Sequence, residues 1–177
     1  MYEMKIQVPE GISCKVEGKK IKCDRGNISA SRNIFQPNIT VSNSGNEIIL
    51  NCTKSNKKDI ANIHAHAAHL KNMFLGLKEP FSYELEICNV HFPMTVKIDG
   101  GKFVINNFLG GKVPRSAEIV EGVNVKVEGN KVVISSVDIE KAGQTAANIE
   151  KASRVTKKDR RIFQDGIFIT KKPEVVL

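Results

Sequence analysis

Apolar and polar residues alternate in short runs along most of the chain, and the runs come in pairs around glycine. Lys15-Val16-Glu17-Gly18-Lys19-Lys20 is echoed by Lys97-Ile98-Asp99-Gly100-Gly101-Lys102 and again by Lys126-Val127-Glu128-Gly129-Asn130-Lys131. A weaker copy is Ser42-Asn43-Ser44-Gly45-Asn46-Glu47. Glycine tolerates the positive φ that a two-residue hairpin turn demands, so each copy predicts a hairpin. Opposed residues in such a hairpin have numbers of constant sum. Gly18-Lys19 then opposes Val16 to Ile21 and Cys14 to Cys23, and Gly45-Asn46 opposes Val41 to Leu50 and Ile39 to Cys52. Gly100-Gly101 opposes Ile98 to Phe103 and Val96 to Ile105, and Gly129-Asn130 opposes Val127 to Val132 and Val125 to Ile134. Every hairpin thereby gains one apolar face that must be buried. The other faces are mixed, with Lys15, Lys22, Lys97 and Lys126 among them.

The period changes after the second hairpin of each half. Ile60, Ile63, Ala67, Leu70 and Phe74 follow at steps of three and four, with Asp59 as the expected N-cap. Ile139, Ala142, Ala146 and Ile149 repeat the pattern behind Asp138. The order hairpin, hairpin, helix therefore occurs twice, with extra residues before the first helix at Lys54-Ser55-Asn56-Lys57-Lys58. This predicts a duplicated α+β protein: residues 1–80 and 81–177, each an antiparallel-rich sheet with one helix across its apolar face. The boundary is set by Gly76, which suits a helix end, and Pro80, which cannot continue one.

Composition narrows the function. Of 177 residues, 27 are Lys or Arg and 19 are Asp or Glu, a net charge of +8 that favours an anionic partner. No apolar run approaches the roughly 18 residues of a membrane span, and the first residues do not read as a signal peptide. With no Trp and two Tyr, the chain has few platforms for stacking single-stranded bases. Cys14, Cys23, Cys52 and Cys88 show no Cys-x-x-Cys spacing, so no zinc ribbon is expected. Cys14 and Cys23 are expected as adjacent buried thiols, reduced in an ordinary cytosol, with a disulfide the expectation only for a hyperthermophilic archaeon.

Catalytic signals are missing. Gly100-Gly101-Lys102 and Gly110-Gly111-Lys112 lack the remaining glycine spacing of a phosphate-binding loop, and no serine sits in a nucleophile elbow. His66 and His69 share a helix face, but no third ligand stands near them and His64 points elsewhere, so all three read as surface or packing residues. Cys88 and His91 read as ordinary sheet residues. No enzyme activity, cofactor or metal is expected.

Charge is concentrated near the C-terminus. Between Lys151 and Lys172 stand Lys151, Arg154, Lys157, Lys158, Arg160, Arg161, Lys171 and Lys172 against Asp159 and Asp165, which is +6 of the chain's +8. The segment begins at the end of the second helix and continues as a loop. Such a cluster suits phosphate contacts on RNA or DNA. Arginine forks add two-pronged contact with phosphate oxygens.

The same segment carries a family resemblance. Gly143-Gln144-Thr145-Ala146-Ala147-Asn148-Ile149-Glu150 and Lys158-Asp159-Arg160-Arg161-Ile162-Phe163-Gln164-Asp165-Gly166-Ile167 resemble the large-subunit ribosomal protein L-six family, in its archaeal and eukaryotic form. Asn72-Met73 with Gly76, Val90-His91-Phe92-Pro93 and Asn107-Phe108-Leu109-Gly110 resemble it too, in the family's order and over nearly the whole chain. The resemblance implies two similar domains and a structural protein of the cytoplasmic ribosome. That protein would bind 23S-type ribosomal RNA near the sarcin–ricin loop and the stalk base, by the translation-factor site, beside neighbouring ribosomal proteins. It implies RNA contacts chiefly in the second domain, at Gln144, Asn148, Arg160, Arg161 and Gln164. Asp165-Gly166 reads as a turn. Charge alone adds Lys112 and Arg115 beside Pro114, and Lys151, Arg154, Lys157, Lys158, Lys171 and Lys172. The competing reading is an adaptor that offers sheet edges to protein partners.

Overall fold

The computed structural model describes residues 2–52 and 56–174, so Lys54 and Ser55 of the expected insertion lie outside the described residues. The chain divides into two compact units, Met1–Pro80 and Phe81–Leu177.

In the first unit β1 (Tyr2–Gln7), β5 (Ile39–Ser44) and β6 (Glu47–Cys52) form one antiparallel sheet in the order β1-β6-β5. A second sheet joins β2 (Ser13–Glu17), β3 (Lys20–Arg25) and β4 (Ile28–Asn33). The helix α1 (Lys57–Lys78) packs on both, against β1, β6, β3 and β4. Its stripe of Ile63, Ala67, Leu70, Phe74 and Leu77 is buried with Ile21, Ile39, Ile48 and Leu50 from the strands.

The second unit repeats the plan and adds a strand. β7 (Phe81–Cys88), β11 (Asn124–Glu128) and β12 (Lys131–Ser136) pair as β11-β12-β7, while β8 (Thr95–Asp99), β9 (Lys102–Asn106) and β10 (Arg115–Glu118) form the other sheet. The helix α2 (Ile139–Ala152) packs across β10, β12, β7 and β13 (Gly166–Lys171), the added strand on the far side of β7. Phe103, Ile105, Val132, Ile134, Leu85, Ile87, Ile149 and Ile167 form the core. Gly143 on α2 makes room for a close approach, because a Cβ there would lie 2.9 Å from the Tyr83 hydroxyl and that side chain would have to shift.

All four hairpins adopt the register that their turns dictate, including Cys14 opposite Cys23, Val41 opposite Leu50, Val96 opposite Ile105 and Val125 opposite Ile134. The α+β architecture with its duplicated order of elements follows. Four features differ from the sequence reading. Each unit holds two sheets rather than one, because β4 and β10 extend the first hairpin into a sheet of its own while β1 and β7 extend the second. The N-cap of α1 is Asn56, whose side-chain oxygen accepts the Asp59 N–H at 2.9 Å. Asp59 itself is buried in the first turn and receives the Asn38 amide; Asp138 does cap α2, accepting from the Glu140 N–H. The segment before Lys172 is not all loop, since Gly166–Lys171 is a paired strand. Finally, Cys14 and Cys23 are joined in a disulfide with Cα atoms 4.1 Å apart, in place of two free thiols. A pair outside the hydrogen-bonded positions of an antiparallel ladder brings Cα atoms this near.

Candidate nucleic-acid interface

Three loops of the second unit are built against one another. The first follows β7 and holds Val90-His91-Phe92-Pro93. The second contains the short 3₁₀ turn Phe108–Gly110 between β9 and β10. The third joins α2 to β13 and carries most of the basic residues. Asn107, in a left-handed conformation, donates from Nδ2 to the Pro93 carbonyl at 2.9 Å and ties the first two together. The Arg115 guanidinium lies 4.1 Å over the Phe108 ring and donates from Nη1 to the carbonyls of Ala152 (3.1 Å) and Arg154 (3.0 Å), joining the second loop to the third.

Asp165 joins the third loop to the first. Its carboxylate is 1% exposed. Oδ1 accepts the backbone N–H groups of Val90 and His91, both at 2.9 Å, and Oδ2 meets His91 Nδ1 at 2.6 Å. Burial by itself would raise the Asp165 pKa, but the hydrogen bonds from His91 and Val90 outweigh it and hold the carboxyl below its ordinary value. The His91 ring stacks on Phe163 at 4.7 Å, and the Lys158 ammonium lies 4.2 Å from the centroid of that same ring. Two expectations are corrected here. Asp165-Gly166 is not a turn, because Gly166 opens β13 opposite Cys88. His91 is not a sheet residue, because it stands in the loop after β7.

A groove of about 730 Å³ opens beside this clamp. Val155, Phe163 and Phe168 give it apolar walls, and Lys151, Arg154, Arg160 and Gln164 line it with polar groups. The side chains of Lys151, Arg154, Lys157 and Arg160 are exposed and make no ion pair to any other described residue. Lys112 and Lys172 are exposed as well. The remaining candidates already have internal partners. Arg161 closes its fork on Asp159, with Nη2 to Oδ2 at 2.9 Å and Nε to Oδ1 at 3.2 Å. Those hydrogen bonds lower the Asp159 pKa and raise that of Arg161. Gln164 donates to the Arg161 carbonyl. Gln144 donates to Asn148 Oδ1 at 2.8 Å, and Asn148 donates to the Glu118 carbonyl at 3.1 Å. Lys171 lies on β13, 3.5 Å from Glu84.

The outer edge of β13 is closed. Ser153, 2% exposed, places its hydroxyl between the N–H (2.9 Å) and carbonyl (3.3 Å) of Ile167, and Glu150 Oε1 accepts the Ile169 N–H at 3.2 Å. These are the outward-facing groups a partner strand would need, so this edge does not serve an edge-pairing adaptor. In the first unit, His66 is buried with Nε2 2.7 Å from Gln36 Oε1, and among the described residues no three metal-ligating side chains gather.

The family model described as ribosomal protein L6 matches residues 92–166. The large ribosomal subunit protein uL6 of Haloarcula marismortui is 37% identical over 98% of this chain and 97% of its own length. The uL6 proteins of Methanococcus vannielii (40% identical, 97% of this chain and 94% of the relative) and Methanocella arvoryzae (42%, 94% and 95%) are similar throughout as well. The chain belongs to the ribosomal protein L6 family. The segment that matches the L6 model runs from the first of the three loops, through the groove-lining cations, to the start of β13. His91 lies one residue before it. The pairing of His91 with Asp165 was not legible beforehand: both residues stand in motifs of the family, but 74 positions apart, and spacing alone does not join them.

Proposed function

We propose that this chain is a structural constituent of the large ribosomal subunit in the cytoplasm, and that it binds 23S-type ribosomal RNA through its second unit. The relatives named above are large-subunit proteins, and the chemistry of the groove suits the same role. One observation carries the reading: Lys151, Arg154 and Arg160 present exposed cations along one groove, with no ion-pair partner among the described residues. Folded RNA is recognised through phosphates, 2′-hydroxyls and shape, and cations held on a rigid loop supply those contacts. The three interlocked loops give them that rigidity. Lys158, Gln164 and the outward face of Gln144 extend the surface, with Lys112 and Lys172 beyond it. Arg115, Asn148 and Lys171 act chiefly within the unit. We place the bound RNA at the sarcin–ricin loop and the base of the lateral stalk, beside the translation-factor site and neighbouring ribosomal proteins, as the family resemblance implies.

The test uses the full chain with a large-subunit rRNA fragment. Lys151→Ala, Arg154→Ala and Arg160→Ala combined should reduce the slope of log affinity against log salt by up to roughly 0.9 for each lost contact, and less on irregular RNA. An unchanged slope in a folded triple variant refutes the assignment. Chemical footprinting of bound rRNA checks the location, and protection elsewhere than the sarcin–ricin region overturns it.

A further inference from the structure

We propose that His91 is an additional contact to the RNA, a single imidazole donor held in place by Asp165, and that it makes binding strengthen as pH falls. The inference rests on the RNA-binding reading above. It concerns a residue that neither the basic cluster nor the L6-matching segment contains.

The geometry supplies the argument. The buried Asp165 carboxylate takes His91 Nδ1 at 2.6 Å and the His91 backbone N–H at 2.9 Å, so the ring has one orientation. Stacking on Phe163 at 4.7 Å fixes its plane. Asp165 can accept but not donate, which puts a hydrogen on Nδ1 and makes Nε2 the variable atom. The side chain is 31% exposed, and no described residue bonds Nε2. A stacked imidazole with one nitrogen anchored to a buried acid and the other bonded to no described residue is a placed polar group with a donor or acceptor to spare. The Lys158 ammonium lies against the same Phe163 ring, and Phe163, Asp165, Arg160 and Gln164 line one groove, so the loop that anchors His91 also carries cations suited to a phosphate.

Protonation decides what Nε2 does. Neutral His91 presents a lone pair there, which repels a phosphate oxygen and suits only a hydroxyl donor. Protonated His91 presents an N–H, a charge-assisted donor to phosphate. RNA then binds the protonated form more tightly, and linkage requires affinity to rise as pH falls. Two neighbours of His91 keep one charge state between pH 6 and 8. Asp165 is held low and stays ionised, while Cys88 is pushed up by burial, Glu86 and Asp165 and stays neutral.

The experiment measures affinity of the full chain for a large-subunit rRNA fragment between pH 8 and pH 6 at constant salt. Wild type is expected to gain at least about three- to tenfold from the charge-assisted hydrogen bond that protonation supplies. His91→Asn puts an amide N–H where Nδ1 stands and removes Nε2, so it should keep its melting temperature and lose most of the pH dependence. His91→Gln offers an uncharged donor near the Nε2 position and should bind with a flat pH profile, which carries the test if the Asn variant folds poorly. A wild-type profile that is flat, or one that both variants reproduce, overturns the proposal. Failure of every form to bind the fragment would instead count against the RNA-binding reading itself.

Discussion

Arg160 and Arg161 are neighbours in sequence and differ in what surrounds them. Arg161 is already engaged by Asp159 through two side-chain bonds, whereas Arg160 lines the groove with no ion pair to a described residue. Arg160→Ala should therefore weaken RNA binding more than Arg161→Ala and reduce the salt slope more; equal losses, read in parallel salt titrations, would contradict this ranking. Both residues are exposed, so neither substitution should move the melting temperature appreciably. His66 carries the opposite kind of prediction, since it is buried. Desolvation first, then Arg32 and His69, lower its pKa from the ordinary 6.5. The folded state thus resists a proton that the unfolded chain accepts. The stability that His66 contributes is complete above about pH 6.5 and is lost progressively as pH falls below that value. Urea denaturation at pH 7 and pH 5 should show this loss, and His66→Gln should diminish it. A wild-type midpoint that does not fall between those pH values would rule the linkage out.

Two arginines do the same work at the ends of the two helices. Arg25, on β3, donates from Nη1 to the Leu77 and Lys78 carbonyls at the end of α1, and Arg115, on β10, donates to the carbonyls of Ala152, the last residue of α2, and of Arg154 just beyond it. Cations are favourable at helix C-termini, where carbonyls lack intrahelical partners. Each arginine also fastens the helix end to the sheet that carries it, β2-β3-β4 for Arg25 and β8-β9-β10 for Arg115. Arg115→Ala is expected to cost about 1–2 kcal/mol, the range for a partly exposed charged hydrogen bond, and to leave the salt slope of RNA binding near wild type. A large change in slope with unchanged stability would make Arg115 an RNA contact after all. The strand β13 depends on α2 in another way. Ser153→Ala removes the acceptor of the Ile167 N–H in a buried site, with an expected cost of about 1–3 kcal/mol in denaturant unfolding. Amide exchange should rise first at Ile167. If it rises uniformly, or if stability is unchanged, Ser153 does not hold the strand.

Each of the two units has its own core and a helix bridging two sheets, while their charge is unequally divided. The run from Lys151 to Lys172 holds +6 of the net +8 and lies wholly in the second unit. Expressed separately, residues 81–177 should bind a large-subunit rRNA fragment more tightly than residues 1–80. Circular dichroism must show both pieces folded. Equal affinities, or tighter binding by the first piece, would mean that duplication gave both units an RNA surface.

The alternation around each turn glycine was enough to set four hairpin registers, because a two-residue turn leaves one register open and a one-residue slip would expose the apolar face. The stripe from Ile63 to Phe74 and its counterpart on α2 were legible for the same local reason, as were the duplicated order and the concentration of basic residues. Tertiary structure decided everything that depended on residues far apart. It split each expected sheet in two, because which hairpin β1, β4, β7 and β10 join is not written in their own sequences. It made Gly166–Lys171 a strand by giving it the free side of β7. It also sorted the basic residues, committing Arg115 to carbonyls and Lys171 to Glu84 while leaving Arg160 on the groove. Above all it brought His91 to Asp165 across 74 residues. Local pattern is governed by which face of an element avoids water, and that is read over a few neighbouring positions. A contact between loops is governed by how finished elements pack, and no spacing along the chain encodes it.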